Sequence, residues 1–219
     1  MHISYVIIKV YYIKGVIMNI YFTRHGETEW NKIGKIQGWL DSPLTDDGMK
    51  MGKNLSEEVK NIKFDKVYSS DLGRAFETAK LIVPEENIIK TELLREIDVA
   101  EWSGHLFTEA EEINRLAYDY YFNHPEKYTR ENGESFYDLI ERVENFFKKY
   151  VYNSDDENIL VVSHGITIIA MFNIMENIPV EKFWTNRVRR NGEFNIAKYE
   201  NQRFEIIKKA DKNEKSTIG

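Results

Sequence analysis

A chain of 219 residues with 42% hydrophobic and 30% charged residues can bury one substantial core and reads as a single soluble globular domain. Its net charge of -6 gives no general attraction for nucleic acid, so any anion site must be a local cluster of cations on a mildly acidic surface. The absence of cysteine excludes disulfides, a thiol nucleophile and thiolate metal ligation, and suits a cytoplasmic protein.

Residues 3–17 are apolar and β-prone but interrupted by Lys9 and Lys14. They are too short and too charged to span a membrane, and they lack the basic start and small-residue cleavage site of a secretion signal. Residues 1–17 are therefore expected to be an appendage, either the product of an upstream start codon or an extra edge strand. Met18 opens a buried strand over residues 19–23, followed by a loop to residue 44 that contains Gly34, Gly38 and Pro43. Thr45 is placed to cap a helix reaching residue 61, with Met49, Leu55 and Val59 facing inward. A second strand is predicted over 66–69. Ser70 or Asp71 would cap the next helix over 72–83, where Leu72, Ala75, Phe76, Ala79 and Ile82 recur at helical spacing until Pro84 ends it.

A short strand over 88–90 precedes two predicted helices, 108–122 and 135–152, with Ser135 and Asp138 as a capping pair for the second. Residues 158–163 are apolar throughout and read as the central strand, with a helix over 165–175 behind it. Residues 194–199 and 203–207 alternate like a closing hairpin. The polar tail from Lys208 is expected to be disordered, which leaves a main domain over 18–207. Alternating strands and helices predict a layered α/β fold.

The chemistry concentrates just past the strands. Arg24-His25-Gly26 follows the first one, where open α/β sheets bind ligands. An arginine there offers a planar fork for a phosphoryl group, and a neutral imidazole offers a nucleophilic nitrogen. Alone, such a triplet reads as a core histidine beside a surface arginine. The pattern recurs, however, in Ser163-His164-Gly165, where the helix starting at Gly165 would present backbone N–H groups to an oxyanion. Arg74 falls in the first turn of a helix, where a cation opposes the dipole unless an anion sits beside it. Glu96 and Glu101 are the carboxylates beyond the third strand, either of which could serve as a general acid.

Together these segments resemble the histidine phosphatase superfamily, the phosphoglycerate-mutase-like group, from about residue 18 to residue 199. The motifs that carry the resemblance are Arg24-His25-Gly26-Glu27-Thr28, Trp30-Asn31, Gln37-Gly38, Asp41-Ser42-Pro43-Leu44-Thr45, Ser69-Ser70-Asp71-Leu72-x-Arg74-Ala75, Leu94-Arg95-Glu96, Glu101-Trp102-Ser103-Gly104 and Ser163-His164-Gly165. The family more often has Glu where Ser103 stands, with no catalytic consequence. The resemblance implies a three-layer α/β/α sandwich with a mostly parallel sheet. It further implies a metal-independent and cofactor-free phosphomonoesterase working through a phosphohistidine. His25 would be the nucleophile and Glu96, rather than Glu101, the acid and base. Arg24, Arg74 and a protonated His164 would clamp the phosphoryl oxygens, with Asn31, Gln37 and Gly165 completing the substrate site.

The runner-up is a bisphosphoglycerate-dependent mutase, and a non-catalytic phospho-ligand binder comes last because the nucleophile and clamp are all present. Mutases of this family carry a longer insertion between the acid and the second histidine, with an adjacent arginine pair. Here Arg115, Arg130 and Arg142 are not adjacent, and the segment offers Trp102, Tyr118, Tyr120, Tyr121 and Phe122 instead. Those not used in the core would favour an apolar or ring-shaped substrate. Arg187, Arg189 and Arg190 could reach the pocket mouth, although a solvated basic patch is the simpler reading. The partner expected is a small-molecule phosphomonoester, with a homodimer left open, and no nucleic acid or membrane.

Overall fold

The computed structural model describes residues 17–188 and 191–210. The hydrophobic runs form a six-stranded sheet in the order β3-β2-β4-β1-β5-β6. Its strands are β1 (Met18–Arg24), β2 (Lys66–Ser70), β3 (Ile88–Thr91), β4 (Asn158–Ser163), β5 (Asn195–Glu200) and β6 (Arg203–Lys208). The four from β3 to β1 run parallel, while β5 and β6 join antiparallel as a terminal hairpin.

The uninterrupted apolar run of β4 follows from burial on both faces. Ile159 and Val161 enter one core together with Ile20, Phe22 and Tyr68. Leu160 and Val162 enter a second core with Val67 and Leu55. Around the sheet lie α1 (Glu29–Lys32), α2 (Asp46–Val59), α3 (Gly73–Ile82), α4 (Ala110–Ile113), α5 (Arg115–Asn123), α6 (Phe136–Tyr150) and α7 (Gly165–Met175). Helices α2 and α3 pack on each other and cover the second core, while α6 and α7 do the same for the first. The fold is the three-layer α/β sandwich that the sequence implies.

Local chemistry explains where elements begin. The Thr45 hydroxyl accepts the Gly48 N–H at 2.9 Å to start α2, and Ser135 and Asp138 form the expected reciprocal cap of α6. Met49 does not face inward as expected. The buried face of α2 is Gly48, Gly52, Leu55 and Val59, and Met49 is exposed. The helix expected over 108–122 is broken at Asn114, whose side chain accepts the Ala117 N–H and opens α5 separately. Lys208, Lys209 and Ala210 do not belong to a disordered tail as expected. Lys208 ends β6, the Lys209 ammonium reaches Glu176 at 2.7 Å, and Ala210 is buried with its N–H on Asn195. The expectations for residues 1–16 and 211–219, and for Arg189 and Arg190, lie outside the described residues.

Candidate active site

Parallel pairing sets the site. Arg24 at the end of β1 lies opposite Ser163 at the end of β4, so the next residues, His25 and His164, emerge side by side. Their ring centroids are 5.3 Å apart. The Nδ1 of His25 is 2.7 Å from the Gly26 carbonyl oxygen. A carbonyl only accepts, so the hydrogen sits on Nδ1 and Nε2 carries the lone pair. Burial first, then Arg74 and Arg24, pushes His25 well below the usual histidine range, so the ring is neutral and nucleophilic.

Arg74 is only 2% exposed, although it sits in the first turn of α3. Its fork is fully directed: Nη1 donates to the Leu40 carbonyl at 2.7 Å and Asp41 Oδ1 at 2.8 Å, Nη2 donates to the Gly38 carbonyl at 2.8 Å, and Nε points at His25 Nε2 at 3.3 Å. The anion that the helix start needs is Asp41, which also accepts the Gly73 and Arg74 backbone N–H groups. Neither Ser70 nor Asp71 supplies the cap; the N-cap position is Leu72, and Asp41 reaches in from the loop between α1 and α2. Burial lowers the Arg24 pKa to about 10, against the opposing pull of Glu96.

Glu96 is bound where a substrate oxyanion was expected. Its Oε1 accepts the Ile97 and Thr167 N–H groups at 3.0 and 3.1 Å, and its Oε2 accepts that of Ile166 at 3.1 Å. The start of α7 therefore holds the carboxylate over the site, rather than presenting those N–H groups to a ligand. The expectation of a protonated His164 also fails. Burial, with Arg74, His25, Arg142 and Arg24 adding like-charge repulsion, lowers it well below the ordinary value, so the ring is neutral. Its Nε2 is 2.8 Å from the Ser70 hydroxyl, and its buried Nδ1 has no hydrogen-bond partner among the described residues.

Arg24, His25, Gln37, Arg74 and Glu96 line one cavity of about 420 Å³. Gln37 Oε1 is buried there without a hydrogen-bond partner among the described residues. The His164 ring sits beside that of His25, and His164 is not among the residues that line the cavity. Asn31 is off the wall too: its Oδ1 caps α1 through Thr28, and its Nδ2 is buried without a partner. Gly165 is also off the wall; a Cβ there would press on Val188 Cγ1 at 3.1 Å and make only an ordinary 3.6 Å contact with the Arg24 Nε. Glu101 is half-exposed and paired with Arg130 outside the cavity. Among the described residues no group of three or more His, Asp or Glu side chains could hold a metal ion.

Several site residues escape a reading of motifs. Arg142 on α6 binds Glu134 through two bonds of 2.7 and 2.8 Å and donates to the Arg95 and Glu96 carbonyls at 2.9 and 3.2 Å. Glu134 in turn accepts the Asp98 N–H at 3.0 Å. The pair staples the backbone on both sides of Glu96. No local spacing announces this, because the partners are more than thirty residues from the segment they hold. The aromatic set divides: Trp102, Tyr121 and Phe122 line the cavity, Tyr118 packs against Trp102 and Phe122, and Tyr120 is half-buried against the first core away from the cavity. Phe107 and Trp184, not singled out in the sequence, complete the wall.

The sequence profile described as histidine phosphatase superfamily, branch 1, matches residues 20–212. The chain belongs to the histidine phosphatase superfamily. This histidine phosphatase is 31% identical over 194 residues to phosphoserine phosphatase 1 of Hydrogenobacter thermophilus, covering 88% of this chain and 92% of the relative. It is 29% identical over 175 residues to the adenosylcobalamin/α-ribazole phosphatase of Salmonella typhimurium, covering 79% and 87%. Among solved structures, Bacillus stearothermophilus YhfR superposes with a TM-score of 0.78 at 27% identity, covering 92% of this chain and all of that one. No helix among the described residues is long and apolar enough to cross a membrane.

Proposed function

We propose that this histidine phosphatase hydrolyses small phosphomonoesters in two displacements through His25. The observation that carries the reading is the unprotonated Nε2 of a neutral His25, which accepts the Nε–H of the buried Arg74 at 3.3 Å in a cavity that also contains Glu96. In the first step Nε2 attacks phosphorus and the ester P–O bond breaks. Glu96 delivers a proton to the departing oxygen. In the second step water attacks the phosphohistidine, the P–N bond breaks, and Glu96 takes the proton from that water. Phosphate leaves and His25 returns to its starting form.

Arg24 and Arg74 neutralise the charge that spreads over the equatorial oxygens. With the Ser70 hydroxyl donating to His164 Nε2, the hydrogen sits on Nδ1, which has no partner among the described residues, and from beside His25 this N–H would become the third donor of the clamp once a phosphoryl group is bound. Gln37 contributes an amide to the same pocket, while Asn31 shapes the loop through its cap on α1. Hydrolysis is favoured over the mutase reaction because the lining holds a single further cation among the described residues, Arg187, where a carboxylate and a second phosphate would need a pair.

Rapid acid-free quenching during turnover should trap one phosphoryl group per chain, stable in base and labile in acid. His25→Ala should form none and should not turn over. Wild-type activity in that variant would sink the mechanism. Conversion of 3-phosphoglycerate in the presence of its bisphosphate, faster than phosphate release, would replace hydrolysis by the mutase reaction.

A further inference from the structure

Hydrolysis uses only the polar part of the cavity. The remainder of the wall is aromatic, assembled from segments far apart in the chain. Trp102 comes from the short helical turn Ala100–Trp102, Phe107 from Phe107–Glu109, Tyr121 and Phe122 from α5, and Trp184 from Val180–Thr185. The rings are locked together. Phe122 stacks on Trp184 with centroids 5.8 Å apart and planes at 23°, and meets Phe107 edge-on at 5.9 Å. The Trp184 Nε1 donates to the Tyr121 carbonyl at 2.6 Å, and Trp102 meets Tyr121 edge-on at 5.6 Å. A wall already ordered in this way loses little freedom when a ring is placed against it.

Among the described residues, the rest of the lining offers little for a second charge. A carboxylate on the substrate's body would need a cation or several N–H donors to offset its desolvation. Of the cations lining the cavity among the described residues, Arg24 and Arg74 belong to the phosphoryl group, and Arg187 is exposed to solvent. An ammonium group would need charged acceptors; among the described lining residues it would find Glu96, which already accepts three backbone N–H groups, and the single neutral Oε1 of Gln37.

We infer that this site takes the phosphate ester of an alcohol whose body is apolar and ring-bearing, with no charge beyond the phosphate, in preference to a phosphorylated amino acid or hydroxy acid. The inference rests on the hydrolase reading above and names its substrate class. The aromatic wall then acts as the specificity element: it buries the body of the ester while the polar end holds the phosphoryl group in line with His25.

The test is release of inorganic phosphate by the full chain from 2-phenylethyl phosphate, ethyl phosphate and O-phosphoserine. All three leaving groups are alkoxides, so differences report the body rather than an activated leaving group. The expected order is 2-phenylethyl above ethyl by at least about tenfold in kcat/KM, with O-phosphoserine no better than ethyl phosphate. In Phe122→Ala, and separately in Phe107→Ala, the ratio of 2-phenylethyl to ethyl should shrink several-fold. Equal rates on all three esters, or a preference for O-phosphoserine, would overturn the inference and leave hydrolysis standing. A wild-type preference for the aromatic ester that both variants retain in full would overturn the role of the wall. Turnover of none of them would overturn the hydrolase reading, and the substrate class with it.

Discussion

At the scale of single residues, His25 is a nucleophile because of what its neighbours forbid. Gly26 takes the Nδ1 hydrogen, Arg74 stands at Nε2, and burial beside two guanidiniums disfavours a positive charge on the ring. The consequence for pH is directional. Protonated His25 cannot attack, and its folded pKa lies well below 6.5, so the acid limb of kcat/KM should also fall below that pH. A limb centred at or above the ordinary histidine value would contradict the environment described. Arg74 is aimed by Asp41 and by two backbone carbonyls. Arg74→Ala should cost on the order of a hundredfold in kcat/KM, and Arg74→Lys should recover little, because an ammonium cannot span the same fork. Asp41→Asn should fall between wild type and Arg74→Ala in the same steady-state assay.

At the scale of elements, two close approaches hold the site's geometry. A Cβ at Gly48 would lie 2.1 Å from the Glu27 carbonyl oxygen, and one at Gly26 would lie 2.5 Å from the Gly48 oxygen. The loop after β1 and the first turn of α2 therefore touch backbone to backbone. Gly48→Ala should destabilise the fold by about 1–3 kcal/mol, measured by urea unfolding, as the strands and helix are forced apart. A change under a few tenths would mean that this contact is loose. The staple from α6 acts on another part of the machinery. Arg142 and Glu134 pin the carbonyls and N–H groups flanking Glu96 without touching the cavity. Glu134→Gln should therefore lower kcat about tenfold with little change in KM. A rise in KM at constant kcat would assign the pair to binding instead.

For the whole molecule, the sheet separates two cores, and the site lies where four connected segments meet at the carboxyl ends of its parallel strands. Burying two neutral imidazoles there links stability to pH. His25 and His164 both have folded values depressed below 6.5, the unfolded value. As pH falls below about 6.5, the unfolded chain binds protons that the folded one refuses, so stability is lost through that window and is unaffected above it. The melting temperature should be flat between about pH 8 and 7 and decline toward pH 5, with a smaller decline in His25→Ala, which has lost one of the two groups. A decline of equal size in the variant would remove His25 from this account.

The sequence by itself determined the strands, the layered α/β class and the polar residues at the strand ends. Such features are local: an apolar run such as residues 158–163, or Arg-His-Gly after a strand, is written in consecutive positions. The hairpin, the Thr45 cap and the Ser135–Asp138 cap were legible for the same reason. Tertiary structure alone decided what each polar group faces. Asp41, not Ser70 or Asp71, caps α3; Glu96 occupies the start of α7; His164 is neutral; and Phe107 and Trp184 join the wall. Each of these depends on groups distant in sequence meeting at close range, where burial and neighbouring charge set hydrogen bonding and protonation, and no local pattern of residues encodes such meetings.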